Sequence, residues 1–270
     1  MLTLLRSLLT SRDITCVFQP IFNVEQNQVL GYEALSRGPF GTELHAPDVL
    51  FSVAEQYGLL SELELLCREI AISRFAELKL TGKLFINISP MVILDAKHPQ
   101  GETKKLVEQA GLSCQQVVIE LSEKYPASSS QLLTEALCKY REYGFNVAID
   151  DLGAGYSGLK QWSELRPDIV KIDRYFVEDC HKNSFKRKFL KAIFDLAQSA
   201  NTEVIAEGIE CEEEMALLRQ LGMVYAQGFY LAKPCALPIR HYPFNEQFMP
   251  LVTVNDRLSS KAIPSARAIG

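Results

Sequence analysis

Seven short apolar runs in this chain each end on, or enclose, an acidic, amide or lysine side chain, and this recurrence constrains the fold most. The run 29–32 is closed by Glu33, 84–86 by Asn87, 117–119 by Glu120, and 145–149 by Asp150 and Asp151. Lys171 lies inside 169–172, Glu207 closes 204–206, and Gln227 follows 224–226. Stretches of helical periodicity separate most of these runs, at 47–57, 62–78, 102–110, 129–142, 184–200 and 211–221. Alternating strand and helix of this kind predicts the α/β class and a (β/α)8 TIM-like barrel. In such a barrel the strand ends open at one mouth, so these residues converge in one pocket.

The first two apolar runs depart from the repeat. Residues 14–20 and 29–35 flank a polar turn at 23–28, the pattern of a β-hairpin, so the first strand should run antiparallel to the second. The barrel is therefore a modified one. Strands are expected at 83–88, 116–121, 145–150, 168–172, 203–207 and 223–227, with a glycine-rich loop joining the fifth strand to the sixth. At 270 residues the chain holds one such domain, assigned to 1–243, followed by a tail or linker at 244–270. Leu2, Leu5 and Leu9 mark one face of a short N-terminal helix over 1–12, packed on the barrel or a partner. Ser128 to Ser130 are positioned to cap the helix that follows them.

Composition removes several function classes. A net charge of −5 lacks the basic face needed for general nucleic-acid binding. No apolar stretch reaches the roughly 20 residues of a membrane span, and the leucine-rich start carries Arg6 and no cleavage signal, so a cytoplasmic protein is expected. The seven cysteines form no Cys-x-x-Cys pair and read as thiols in a reducing compartment. None of the four histidines falls in the strand-end series. Its oxygen donors argue against zinc there and for a hard ion, Mg²⁺ or Mn²⁺.

Strand parity tests whether the series can converge. Asn87 shares a face with Phe85, Glu120 with Val118, Asp150 with Ala148, and Lys171 with Ile169. Asp151 is out of parity and is expected to lie already in the loop. Adjacent carboxylates in a dry pocket repel, and two divalent ions would remove that repulsion. Two such ions can activate water for an in-line phosphoryl displacement, with Lys171 on the water or on the developing charge.

Residues 32–37, Tyr-Glu-Ala-Leu-Ser-Arg, resemble the signature of the EAL-domain cyclic di-GMP phosphodiesterases. The resemblance covers about 14–235 and includes Phe18-Gln19-Pro20, Asn87-Ile88-Ser89-Pro90, Glu120-Leu121-Ser122-Glu123, Asp150-Asp151-Leu152-Gly153 and Lys171-Ile172-Asp173-Arg174. It continues through residues 206–210, Ala-Glu-Gly-Ile-Glu, and 227–230, Gln-Gly-Phe-Tyr. The resemblance implies a first metal on Glu33, Asn87, Glu120 and Asp150, and a second on Asp150, Asp151 and Glu207. It implies Lys171 at the nucleophilic water, Glu210 and Gln227 supporting the site, and Gln19, Leu35 and Arg37 on the dinucleotide. It also implies two Mg²⁺ or Mn²⁺ ions per site and a homodimer joined through the 151–160 loop region. Ser36, Leu121, Ser122, Leu152, Ala154 and Gly158 stand where the family usually has other residues. The function so implied is hydrolysis of cyclic di-GMP to linear 5′-pGpG. The alternatives are a receptor that binds the dinucleotide without cleaving it, and an interaction domain that has abandoned it.

Overall fold

The computed structural model describes residues 1–95, 101–122, 130–153 and 158–244. A turn after β1 (Thr15–Asn23) returns the chain antiparallel as β2 (Gln28–Arg37). Asn23 builds that turn: its Oδ1 accepts from the backbone N–H groups of Glu25 and Gln26, and Asn27 takes φ 54°. The chain then winds through β3 (Lys83–Asn87), β4 (Val117–Ser122), β5 (Asn146–Leu152), β6 (Ile169–Ile172), β7 (Glu203–Ala206) and β8 (Tyr225–Ala226). These close into an eight-stranded barrel in sequence order, with β1 antiparallel to both β2 and β8 and every other pair parallel. The fold is the expected one.

Helices cover the outside. α1 (Leu2–Ser11), α2 (Pro47–Gln56) and α3 (Leu60–Glu77) share one apolar cluster that includes Leu5, Leu8, Leu50 and Leu63, so α1 packs against its own chain. The others are α4 (Pro90–Ile93), α5 (Glu102–Gln109), α6 (Ser130–Glu142), α7 (Gly158–Leu165), α8 (Arg174–Val177), α9 (Ser184–Ala200) and α10 (Glu212–Gln220). Among the described residues, no helix is long and apolar enough to cross a membrane.

Parity resolves as the sequence implied. Ile21, Phe85, Val118, Ala148, Ile169 and Ile205 fill the barrel interior, while Val170 and Ile172 face the helices. Two expectations need correction. The segment between β5 and β6 contains α7, which the glycine-rich composition concealed. Asp151 lies within β5 rather than in the loop, because the β5–β6 pairing slips between Ile149 and Leu152 and Asp151 takes φ 55°. That slip lets two consecutive carboxylates serve one mouth and still buries Leu152 in the outer core. Ser128 and Ser129 of the expected cap, loop residues 154–157 with Ala154, and residues 245–270 of the tail lie outside the described residues, while Ser130 opens α6.

Candidate metal centre at the barrel mouth

One rung above the apolar interior, the same strand faces turn polar. Lys171 Nζ, fully buried, lies 2.9 Å from Glu120 Oε1, 2.9 Å from Asp150 Oδ1, 2.8 Å from Glu207 Oε1 and 3.1 Å from Glu33 Oε2. Gln227 Nε2 donates to Glu33 Oε2 at 2.7 Å, and Asn87 Nδ2 donates to Glu33 Oε1 at 3.2 Å. Residues from five strands, β2 to β6, and from the loops that follow β7 and β8 thus meet at one point.

This centre is short of positive charge. An ammonium has three N–H donors, and here it faces four carboxylates. Both oxygens of Glu120, Asp150 Oδ1 and Gln227 Oε1 are buried without a directed hydrogen bond among the described residues. Burial pushes Glu120 well above the ordinary carboxylate range; Lys171 opposes this, and Glu33 and Asp150 add to it. Burial does the same to Glu207, again opposed by Lys171 and reinforced by Asp150 and Glu33. For Lys171, burial favours the neutral amine, but Asp150, Glu120, Glu207 and Glu33 together hold the ammonium well above its usual value. The lysine stays charged and the pocket remains anionic.

Two carboxylate groupings could hold a cation. Oxygens of Glu33, Glu120 and Asp150 lie within 4.8 Å of one another, and so do those of Asp150, Asp151 and Glu207. Asp150 is common to both. All-oxygen donors with orphaned buried lone pairs fit hard divalent ions.

Two clefts meet at this cluster. One, of about 230 Å³, is lined by Gln19, Leu35, Glu207, Glu210, Gln227 and Phe229. The other, of about 370 Å³, is lined by Leu35, Arg37, Glu64, Arg68, Asn87 and Asp150. Gln19 Nε2 donates to Ala232 O at 3.1 Å, and Arg37 Nη1 donates to Ser36 O at 2.8 Å. Glu210 lines its cleft with its carboxylate 2.9 Å from Arg174 Nη1. Gly228 allows the closure here, since a Cβ would stand 2.2 Å from Ile209 O.

A family model for the EAL domain matches residues 3–234. The chain belongs to the EAL-domain family. Among curated relatives, this EAL domain is 29% identical to the probable cyclic di-GMP phosphodiesterase PdeA of Escherichia coli (strain K12), over 87% of this chain and 32% of that protein. It is 32% identical to the probable cyclic di-GMP phosphodiesterase PdeB of the same strain, over 87% of this chain and 45% of that one. The chain spans about a third of the first curated relatives' length. Among solved structures, a standalone EAL protein from Vibrio cholerae O395 in its c-di-GMP-bound form aligns with TM-score 0.78 at 29% identity, covering 86% of this chain and 97% of that one. The manganese and cyclic di-GMP complex of Klebsiella pneumoniae BlrP1 aligns with TM-score 0.76 at 29% identity, covering 83% and 56%.

The EAL domain also carries a buried network beside the mouth that no sequence pattern exposed. Glu64 of α3 accepts from Ser89 N at 3.2 Å through each oxygen, just beyond Asn87. Arg68, one turn on, donates to Thr103 at 3.3 Å and leaves Nε and Nη2 without a partner among the described residues. Burial raises Glu64 to about 7, against the pull of Arg68 and the Ser89 N–H. A charged pair four apart on a helix reads as surface; α3 is buried on several faces, and the enclosure of the pair depends on how the helix packs over β3.

Proposed function

We propose that this EAL domain is a metal-dependent phosphodiesterase that hydrolyses one 3′–5′ bond of cyclic di-GMP to give linear 5′-pGpG. The observation that carries the reading is the carboxylate excess around Lys171, one ammonium facing four carboxylates with buried oxygens that lack a directed hydrogen bond among the described residues. Glu33, Asn87, Glu120 and Asp150 would hold one Mg²⁺ or Mn²⁺, and Asp150, Asp151 and Glu207 a second. When bound, such a pair supplies Lewis-acid charge to the phosphodiester and to the water that attacks it.

The remaining work falls to the chain. Lys171 is held protonated by its four carboxylates, so it orients water as a donor and offsets charge as the phosphoryl group is attacked. Gln227 and Asn87 fix the Glu33 carboxylate from two sides. Arg37 presents a guanidinium suited to a phosphate oxygen. Two clefts flanking one reactive centre suit a ligand with two nucleoside halves. The names and bound ligands of the relatives support the same substrate. The reading includes a cytoplasmic homodimer joined through the 151–160 loop region, of which 154–157 lie outside the described residues.

The test is incubation with cyclic di-GMP and Mg²⁺ or Mn²⁺, with products separated chromatographically. Metal-dependent appearance of pGpG is expected. Tight binding with no product would make the protein a receptor that acts through protein contacts.

A further inference from the structure

Behind the loop that carries Glu207 and Glu210, three side chains of different chemistry converge. His181 comes from the connection between α8 and α9, Cys211 is the N-cap of α10, and Glu214 is the third residue of that helix. One ligand atom from each lies within 4.8 Å of the others. The N-cap and third helical positions face one another across a helix's first turn, which brings the thiol and the carboxylate together.

The cluster is incompletely bonded. His181 Nδ1 is buried without a hydrogen-bond partner among the described residues. An imidazole nitrogen buried in this way loses its water without replacement. Glu214 is itself buried, and its oxygens accept from Asp179 N at 2.8 Å and Glu210 N at 2.9 Å. Each oxygen retains a further lone pair. The backbone at His181 is pinned as well, since its carbonyl accepts from Arg187 Nη2 at 2.9 Å. Lys182 is paired with Asp179 at 2.8 Å and Arg187 with the His181 carbonyl, so neither cation is directed at the three ligand atoms.

We infer that His181, Cys211 and Glu214 form a binding site for a borderline-soft divalent ion, Zn²⁺ by its donor chemistry, separate from the carboxylate centre at the barrel mouth. One nitrogen, one sulfur and one oxygen suit zinc and disfavour Mg²⁺, which requires an all-oxygen octahedron. Zinc bond lengths of about 2.0–2.3 Å draw tetrahedral donors to roughly 3.3–3.8 Å of one another, so side-chain adjustment of about 1 Å closes the site. Cys211 and His181 are only half-buried, leaving the fourth position to water. Cys211 must give up its proton on binding; burial holds that proton in the metal-free protein, opposed by a hydrogen bond with the Glu214 backbone and reinforced by the Glu214 and Glu213 carboxylates. Glu214 already joins the two segments through the backbone N–H groups of Asp179 and Glu210, and a filled site adds His181 and Cys211 to that tie.

The inference stands independently of the phosphodiesterase reading and is tested without cyclic di-GMP. The metal-stripped full chain is titrated with Co²⁺ in excess Mg²⁺, and optical absorption is followed. One equivalent should give a thiolate-to-cobalt charge-transfer band and the intense d–d bands of four-coordinate cobalt, both removed by one equivalent of Zn²⁺. Cys211→Ser should abolish the charge-transfer band, and His181→Ala should weaken Co²⁺ binding at least tenfold, roughly what loss of an outer-shell partner alone produces. Glu33→Ala, Cys138→Ser and Cys235→Ser should leave the band intact. Circular dichroism checks that each variant is folded, with His181→Ala deciding the matter if Cys211→Ser is not. A wild-type chain without the band overturns the site. So does a band that survives in Cys211→Ser or disappears in Glu33→Ala.

Discussion

The floor and the mouth of the barrel are built on the same strands, two residues apart. Phe85, Val118, Ala148, Ile169 and Ile205 point inward and close an apolar layer; Asn87, Glu120, Asp150, Lys171 and Glu207 are the next inward positions and form the charged centre. On β1 the order is reversed, as its antiparallel run requires: Gln19 precedes Ile21 by two. The floor satisfies every local rule of packing. The mouth breaks them, gathering like charges out of water around one lysine and leaving carboxylate oxygens without a directed hydrogen bond among the described residues. Stability is thus concentrated in one layer and chemical potential in the next, which is where functional sites are expected to violate folding rules.

Substitutions in the two layers should therefore part stability from activity. Glu33→Ala should lower cyclic di-GMP hydrolysis by more than about 10³-fold, equivalent to roughly 4 kcal/mol of barrier. The metal-free protein should lose no thermal stability, because one of the crowded carboxylates is gone. Steady-state turnover and a thermal melt in chelator check both halves; a variant with near-normal turnover would sink the metal assignment. Ile205→Ala, one layer down and fully buried, should destabilise by about 3 kcal/mol through lost burial and the cavity left behind. Below its lowered melting point it should keep the wild-type dependence on metal concentration. A changed metal dependence would mean that the floor sets the geometry of the mouth directly.

The sequence made this layering visible because strand parity is a rule of two, and each polar residue follows an apolar one by that interval. It did not reveal how Asp151 joins Asp150. Strict alternation sends Asp151 outward, and only the slipped β5–β6 pairing with φ 55° returns it. Helix α7 was concealed because three glycines at 153, 155 and 158 read as loop. The Glu64–Arg68 network and the His181–Cys211–Glu214 cluster were unreadable for another reason. Each depends on which element covers which, and no spacing along the chain encodes that.

Glu64 offers a third comparison, between a carboxylate buried beside the mouth and those within it. Its folded value of about 7 lies above its ordinary 4.5. A raised acid contributes stability fully below the unfolded value and loses it as pH rises through the folded one. From pH about 5.5 to about 8.5 the wild type should therefore lose about 2 kcal/mol through this group. Glu64→Gln keeps an acceptor for Ser89 N and carries no charge, so it should gain on the wild type by that amount over the same interval. Denaturant midpoints at the two pH values measure it. A stability gap independent of pH would place Glu64 ionised throughout, as the Ser89 N–H alone would favour.

Asp151 joins strain to charge at one residue, and the smallest predicted effect separates them. A non-glycine residue at φ 55° in a strand stores on the order of 1 kcal/mol, less for aspartate than for most residues. Asp151→Gly removes both the strain and the carboxylate, whereas Asp151→Asn removes the charge and keeps a side chain that tolerates the left-handed region. If Asp151 serves the second cation, both variants should need at least about tenfold more metal for half-maximal hydrolysis, about 1.4 kcal/mol of binding. In chelator, the glycine variant should match or exceed the wild type in thermal stability by up to about 1 kcal/mol, and the asparagine variant should fall between them. Metal titrations of activity, paired with melts in chelator, read the two effects separately. If both variants melt well below the wild type without metal, the carboxylate supports the β5 bulge itself, and its place at the mouth is structural before it is catalytic.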